Sequence, residues 1–159
     1  MSKVAATCGC FDMFHDGHVS ILQACHLIAD RVVVFLNSDE SINRIKGEHK
    51  PVTPLEARYN ILTSIKHVDS VIVFHEDTPV ESLQKYFDSN PDIGYGNFFW
   101  LKPAYDYAIS GIPEREAIQS RGGLILYYDS PIIRSSTEII RRVKEGRNAI
   151  EDTSWNKEW

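Results

Sequence analysis

The sequence contains no apolar run approaching the roughly 20 residues that a membrane-spanning helix needs. It also has no excess of basic residues, because 17 lysines and arginines stand against 22 aspartates and glutamates, a net charge of −5. A surface that binds nucleic acid normally needs a basic face. We therefore expect neither a membrane nor a nucleic acid as partner. Binding of small anionic ligands remains possible, because a few lysines and arginines clustered at one place can bind them.

Cysteine is scarce as well. The three cysteines, Cys8, Cys10 and Cys25, are an odd number without the spacing of a metal site, which favours free thiols in a reducing compartment. The first residues lead directly into a strand pattern and resemble no signal peptide. We therefore expect a cytoplasmic protein. Its 159 residues, 43% of them hydrophobic, suit one domain with an ordinary core.

Apolar runs alternate with helical patterns over residues 1–146, and the polar residues 147–159 are predicted to form a C-terminal tail. This alternation predicts an α/β fold, a Rossmann-like doubly wound five-stranded parallel sheet in three α/β/α layers. Strands are predicted at Val4–Cys8, Arg31–Leu36, Ser70–Phe74, Ile93–Tyr95 and Gly123–Tyr128, and helices at Gly17–Ala29, Pro54–Ile65, Pro79–Asp88 and Ser136–Glu145.

A His-x-Gly-His element follows the first predicted strand, within the stretch Gly9–His18, which reads GCFDMFHDGH. A turn from strand to helix directs backbone N–H groups and the positive end of the helix dipole toward a ligand, and a glycine there lets a phosphate approach. Two imidazoles beside such a site can donate hydrogen bonds to a phosphoryl group that gains charge in a transition state. By itself the element is also compatible with two ordinary histidines; its position between strand and helix favours an anion site.

A second candidate anion site opens the last predicted helix. Ser135-Ser136-Thr137-Glu138 has the pattern of a capping box, as do Thr53–Glu56 and Thr78–Glu81. Its hydroxyls and free N–H groups could bind phosphate, or they could only cap the helix. Ligands of an open parallel sheet bind at the carboxyl ends of the strands, where the strand order reverses. Residues from several strand ends can therefore converge there.

Taken together, these motifs form an ordered set that resembles the cytidylyltransferase-like nucleotidyltransferases. The resemblance is closest to the heptose 1-phosphate adenylyltransferases, with the glycerol-3-phosphate cytidylyltransferases a step further away. It implies transfer of a nucleotidyl group from a nucleoside triphosphate to a phosphate monoester, with release of pyrophosphate. Besides Gly9–Asp12 and His15–His18, the matching residues are Asn37-Ser38-Asp39, Lys46-Gly47, Pro51-Val52, Pro54, Arg58, Phe74–Pro79 and Ser135–Thr137.

The resemblance also implies roles for individual residues. His15, His18 and Lys46 would act on the reacting phosphates as catalytic residues, and Arg58 and Asp12 would contact the substrate phosphate. A Mg²⁺ ion would be held mainly by the substrate phosphates, since the sequence shows no dedicated metal cage. The nucleotide would bind to Gly9, Cys10, Phe11, Gly17, Gly96, Asn97, Ser135, Ser136 and Thr137.

A homodimer is a further expectation. The resembling enzymes commonly pair, and Trp155 and Trp159 in the tail would suit a contact surface.

The sequence departs from the family pattern at two places. The resembling enzymes carry a glycine and then an acidic residue after the fourth strand, whereas Gly96-Asn97-Phe98 follows the strand predicted at Ile93–Tyr95. Cys8 stands where the closest relatives have asparagine. The sequence therefore determines neither the acceptor substrate nor the nucleotide base. The matches at Asn37–Asp39 and Lys46–Gly47 favour ATP over CTP. Discrimination between the bases is predicted to rest on backbone groups near Gly96 and Asn97.

Other functions remain compatible with the sequence. One is a glycerol-3-phosphate cytidylyltransferase-like enzyme. Another is an adenylyltransferase that acts on a cofactor precursor, which Ser135-Ser136-Thr137 followed by Arg141 suggests. A third is a nucleotide-binding module without turnover.

Overall fold

A computed structural model describes residues 1–104, 111–129 and 136–146 of the chain. Within these residues, strands and helices alternate as the sequence predicts. In chain order the elements are β1 (Val4–Gly9), α1 (Asp16–Ile28), β2 (Arg31–Asn37), α2 (Asp39–Lys46), α3 (Leu55–Ser64), β3 (Ser70–Phe74), α4 (Val80–Ser89), β4 (Phe98–Pro103), α5 (Arg115–Ser120), β5 (Leu124–Tyr128) and α6 (Ser136–Lys144). The predicted tail, with Trp155 and Trp159, lies outside the described residues.

The five strands form one parallel sheet in the order β3-β2-β1-β4-β5. After β1, the chain adds β2 and β3 on one side of that strand and then β4 and β5 on the other side. The strand order therefore reverses between β1 and β4, and a crevice is expected beyond their carboxyl ends. This arrangement confirms the predicted Rossmann-like sheet.

Alternate side chains of the sheet enter two separate cores. Val4 and Ala6 of β1 belong to the core that α4 and α5 cover, which also holds Trp100. Ala5 faces the other side, where Leu22 of α1 and others pack. Neighbouring residues of a strand point to opposite faces, so a strand buried on both faces reads as a nearly continuous apolar run. The result is the predicted three-layer α/β/α arrangement.

The predicted fourth strand was wrong. Residues 93–95 form a turn, because Gly94, Tyr95 and Gly96 all have positive φ, at +121°, +40° and +83°. The strand is Phe98–Pro103, which pairs with β1 through Val4–Phe98 and the two following positions. Its lysine and proline at the carboxyl end concealed it, since both are depleted in strands.

The corrected strand moves Gly96 and Asn97 to the amino edge of the sheet. Val4 N donates to Asn97 O over 2.8 Å, so both precede strands whose carboxyl ends lie at the opposite edge. The Asn97 side chain accepts from Gly94 N at 2.9 Å and donates to Asp92 O at 3.0 Å. Gly96 and Asn97 therefore shape a turn away from the crevice, and the prediction that they bind the nucleotide and read its base is withdrawn.

The same correction reduces one departure from the family pattern. In the sequence, Ala104-Tyr105-Asp106 follows the observed β4, so an acidic residue comes shortly after the fourth strand, although the glycine of the family pattern is absent. Cys8 remains as the second departure.

Two helices were not predicted from the sequence, α2 and α5. Lys46, expected in a loop, is the last residue of α2. Helix α3 begins without the predicted threonine cap; its Leu55 N–H donates instead to Asp39, 3.1 Å away. Across the described stretches, none of the helices is long and apolar enough to cross a membrane.

Replacing Asn97 with alanine tests the relocated turn. Asn97 is 7% exposed, and its loss leaves Gly94 N–H and Asp92 C=O without their partner. We expect a free energy of unfolding lower by about 1–3 kcal/mol and unchanged affinity for nucleoside triphosphates. Urea unfolding and calorimetry measure the two quantities. The matched control is Asn60→Ala on the exposed face of α3, which should change neither. Lost triphosphate affinity in a folded Asn97→Ala protein would restore the original prediction.

Candidate active site

The loop from β1 to α1, residues 10–15, has a strained backbone. Phe11 and Met13 have φ of +49° and +48°, a region that costs a non-glycine residue roughly 1–2 kcal/mol. Such conformations persist where the surroundings fix them, and they gather at functional sites. Phe11 is anchored by burial, since it is part of the core between the sheet and α1.

The carboxylate of Asp12 ties this loop to the segment before α3. Its two oxygens accept from Val52 N at 2.9 Å and Thr53 N at 2.8 Å. Burial by itself would raise the pKa of Asp12, but these backbone donors hold the pKa below its ordinary value, so the group is ionised. Both oxygens serve the fold, and a carboxylate would repel a phosphate. The structure therefore gives Asp12 an anchoring role instead of the predicted contact with substrate phosphate.

Arg58 is the second anchor. It is 1% exposed, and its guanidinium donates to the carbonyl oxygens of Cys10 (2.6 Å), Asn37 (2.9 Å) and Thr53 (2.9 Å). It also forms an ion pair with Asp39 at 2.7 Å. These partners come from the loop after β1, from the junction of β2 with α2, and from the segment before α3. The predicted contact between Arg58 and a substrate phosphate is therefore also corrected. The guanidinium already donates to protein groups below the surface.

His15 and His18 stack at the start of α1, with ring centroids 3.8 Å apart and an interplanar angle of 23°. His15 is the N-cap residue, and its Nδ1 accepts from Gly17 N at 3.1 Å. His18 Nδ1 accepts from His15 N at 3.3 Å. The helix thus begins with a reciprocal capping box made of two histidines. Because each Nδ1 accepts, each neutral ring carries its proton on Nε2, which is left to donate to a ligand.

Both rings are held neutral. Burial, together with repulsion from a protonated His15 and from Lys46, lowers the pKa of His18 to about 3, against an opposing effect of Asp12. Burial also lowers the pKa of His15, although Asp16 opposes the shift. Phe11 and Phe14 supply apolar surroundings, with ring centroids 5.0 and 5.4 Å from that of His18. Both shifts favour the neutral form, in which each ring offers an Nε2–H donor.

Lys46 lies at the exposed end of α2, close enough for its charge to lower the pKa of His18. The Lys46 side chain is exposed, so it can extend over a ligand bound at the histidines. The structure thus brings together the three residues predicted as catalytic.

The start of α6 reaches the same loop. Ser136 Oγ donates to Asp12 O at 2.7 Å, which places the amino end of the helix beside the loop. Thr137 follows on the exposed side of the first turn. Ser135 lies outside the described residues. The free N–H groups of this turn suit an anion, as the sequence predicts.

The other residues predicted to contact the nucleotide lie in or next to the β1–α1 loop. Gly9 ends β1, Cys10 follows with its carbonyl on Arg58, and Gly17 N–H is bound within the histidine cap. Phe11 is 5% exposed and packs on His18, so it supports the imidazole and offers a ligand little surface. Gly9 and Cys10 lie at the crevice because β1 ends there, at its carboxyl end.

Sequence reasoning missed the roles of Asp39 and Thr53. Asp39 holds Arg58 and caps α3, and Thr53 Oγ1 accepts from Met13 N at 3.3 Å. Asp39 lies within a matched motif, Asn37-Ser38-Asp39, whereas Thr53 lies between two matched stretches and was predicted only as a helix cap.

No group of three or more metal-ligating side chains occurs within residues 1–104, 111–129 and 136–146. Asp12, the carboxylate of the β1–α1 loop, is occupied by backbone donors. These residues do not fit a protein-built metal cage.

Comparison with known proteins places this geometry in a family context. The family model described as cytidylyltransferase-like matches residues 6–142. The chain is 41% identical to the bifunctional protein HldE of Streptomyces coelicolor over 146 residues, and 36% identical to that of Gluconacetobacter diazotrophicus over 142 residues. These matches cover 90% and 89% of the chain but only 29% and 27% of the relatives.

Two solved structures share the fold. A lipopolysaccharide core biosynthesis protein from Thermoplasma volcanium has a TM-score of 0.58 and 22% identity, covering 81% of this chain and 100% of that one. A putative nicotinate-nucleotide adenylyltransferase from Vibrio parahaemolyticus has a TM-score of 0.60 and 16% identity, covering 93% and 90%. At these identities the likeness concerns the fold alone.

Replacing Arg58 with lysine tests the anchor. A lysine keeps the charge but lacks the planar fork that reaches four acceptors, so some of them lose their donor. We expect the free energy of unfolding to fall by about 2–4 kcal/mol, measured by urea denaturation. The matched control is Arg44→Lys, whose ion pair with Asp77 is exposed and which should change stability by no more than about 0.5 kcal/mol. Equal stability of the two variants would refute the anchoring role.

Proposed function

The chain belongs to the cytidylyltransferase-like family of nucleotidyltransferases, and on that premise we propose that it transfers a nucleotidyl group from ATP or CTP to a sugar phosphate or polyol phosphate. In the finer form of the proposal it acts as a heptose 1-phosphate adenylyltransferase does. The chain spans less than a third of the relatives it matches, so the proposal concerns this domain.

The observation that carries the proposal is the pair of neutral histidines at the start of α1. An oxygen of the acceptor phosphate attacks the α-phosphorus, a new oxygen–phosphorus bond forms, and the bond to the β-phosphate oxygen breaks to release pyrophosphate. The acceptor phosphate is already a nucleophile, so the step needs positioning and charge stabilisation and no general base. His15 and His18 supply two Nε2–H donors at fixed positions for the charge that develops.

Lys46 and the start of α6 complete the binding of phosphate in this proposal. The Lys46 ammonium would bind the reacting phosphates from above the histidines, and the first turn of α6 would bind the outer phosphates. Two observations support this part of the proposal: the charge of Lys46 lowers the pKa of His18, and Ser136 Oγ donates to Asp12 O in the β1–α1 loop.

A Mg²⁺ ion is part of the proposal as a companion of the triphosphate. It would neutralise phosphate charge and would be held mainly by phosphate oxygens, since the described residues offer no cage of their own. The reaction steps assigned to the histidines and to Lys46 do not depend on its geometry.

The acceptor is proposed as a sugar phosphate because of the bifunctional HldE relatives at 34–41% identity. The likeness to the putative nicotinate-nucleotide adenylyltransferase, at 16% identity, gives no comparable support for a cofactor precursor. The intact histidine pair and Lys46 favour an enzyme over a binding module. A homodimer stays a prediction.

Pyrophosphate release tests the function, with ATP and CTP each paired with heptose 1-phosphate, glycerol 3-phosphate and pantetheine phosphate. We expect release with one triphosphate and a sugar or polyol phosphate. His18→Ala should then lower kcat by about 100-fold or more, as the loss of a transition-state donor does. His26→Ala, an exposed histidine on the same helix, is the control and should keep kcat within about twofold. Near-normal turnover in a folded His18→Ala protein, or no release with any pair, would contradict the proposal.

A further inference from the structure

A buried lysine lies at the carboxyl end of β4, outside the residues discussed so far. Lys102 is 9% exposed, and its Nζ lies 3.6 Å from Glu114 Oε1 and 3.4 Å from Cys8 Sγ. Cys8 Sγ is itself 3.9 Å from the same carboxylate oxygen. Lysine and glutamate are almost never this buried unless they are paired or used. We call these three residues the Lys102 cluster.

The strand register places the Lys102 cluster at the crevice. Trp100 is the partner of Ala6, so the parallel register continues to Lys102 beside Cys8, and the Nζ–Sγ distance agrees. Cys8 immediately precedes Gly9, where the β1–α1 loop begins. The cluster therefore lies where the strand order reverses, at the edge of the sheet where ligands of such folds bind.

The cluster faces the side of the sheet opposite to α1. Cys8 packs against the core that holds Val4, Ala6 and Trp100, which α4 and α5 cover. Helix α1, which carries the two histidines, packs on the other core. The crevice therefore has Lys46 and two imidazoles on one side and a lysine on the other.

The ion pair is poorly built for stability alone. Its 3.6 Å separation exceeds the 2.7–2.9 Å of a charge-assisted hydrogen bond. Glu114 is 1% exposed, and its second oxygen, Oε2, is buried and has no hydrogen-bond partner among residues 1–104, 111–129 and 136–146. Replacing a buried ion pair with apolar residues of similar volume is often neutral or stabilising. Such a costly arrangement is expected where function uses it.

We propose that Lys102 binds the phosphate of the acceptor substrate and that Glu114 is a positioning residue that holds the Lys102 ammonium toward the crevice. The inference rests on the proposed function, because that reaction brings two anionic reactants together. The triphosphate has its cation and donors on the α1 side, so the second reactant needs a positive charge of its own. Lys102 supplies that charge across the crevice.

The test compares Michaelis constants for the two substrates, using the acceptor with the highest pyrophosphate release. Lys102→Met should raise the acceptor KM at least about tenfold, the loss expected for a charged hydrogen bond, and leave the triphosphate KM within about twofold. Glu114→Gln should raise the acceptor KM by a smaller factor and keep kcat, since the ammonium remains but is less well aimed.

Controls separate binding from folding. Lys102→Met alone leaves a buried carboxylate unpaired, so Lys102→Met/Glu114→Gln should regain thermal stability and keep the raised acceptor KM. The exposed Lys85–Glu81 pair, 2.7 Å apart, supplies the matched variants Lys85→Met and Lys85→Met/Glu81→Gln, which should change neither KM. An unchanged acceptor KM in the folded double variant, or an equal rise in the KM of the triphosphate, overturns the inference.

A second readout is independent of turnover. The rate of Cys8 alkylation by iodoacetamide, followed by tandem mass spectrometry, should fall when inorganic phosphate is added to the wild type, and it should not fall in Lys102→Met/Glu114→Gln. If the wild type releases no pyrophosphate with any pair, the proposed function fails while this measurement still decides whether Lys102 binds phosphate. No protection of Cys8 in the wild type would overturn the inference.

Discussion

The buried guanidinium of Arg58 is the interaction on which the rest of the site depends. It joins the backbone of three segments, at Cys10, Asn37 and Thr53, that are far apart in sequence. A planar group with five donors can bind several acceptors at once, and its burial removes competition from water. Asp12 reinforces the same junction from the opposite direction, because its carboxylate accepts from the backbone of the segment before α3. Arg58 and Asp12, which the sequence suggests as phosphate ligands, thus hold these backbone segments together.

The contacts of Arg58 and Asp12 explain how the strained loop between β1 and α1 is held in place. Phe11 and Met13 adopt left-handed backbone conformations that the isolated sequence would disfavour, and the loop keeps them because both of its sides are anchored. The loop then delivers His15 as the cap of α1, and the cap fixes the ring of His18 through a backbone donor. Burial lowers the pKa of both imidazoles, most strongly for His18 beside Phe11 and Phe14, and so favours the neutral rings with their Nε2–H donors. Preorganised donors of this kind need no rearrangement when charge develops.

The sequence predicted the parts of the fold that local patterns determine. Strand β1, the His-x-Gly-His element and the helix after it form a continuous local signal, and β3 was predicted at its observed bounds, Ser70–Phe74. Strand β4 was misplaced because two glycines and a short apolar run at residues 93–96 resembled a strand end, while Lys102 and Pro103 disguised the true one. Gly96 and Asn97, whose backbone groups were predicted to read the base, were then assigned to the wrong edge of the sheet. The roles of Arg58 and Asp12 could not be predicted, since they depend on which distant backbone groups the fold brings within hydrogen-bond distance. The family resemblance singled out both residues but implied the substrate phosphate as their partner, whereas the structure gives them protein partners.

The central claim is that His15 and His18 are neutral donors whose Nδ1 atoms are committed to the helix cap. Long-range ¹H–¹⁵N correlation of the histidine rings measures tautomer and charge directly, in the free protein and with a bound triphosphate. The account predicts that both rings carry the proton on Nε2 and that His18 stays neutral down to about pH 4, given its pKa of about 3. Addition of a triphosphate should shift the two Nε2–H resonances and leave the tautomers unchanged. A His18 ring that is protonated on Nδ1, or that titrates near the ordinary histidine pKa of about 6.5, would contradict it.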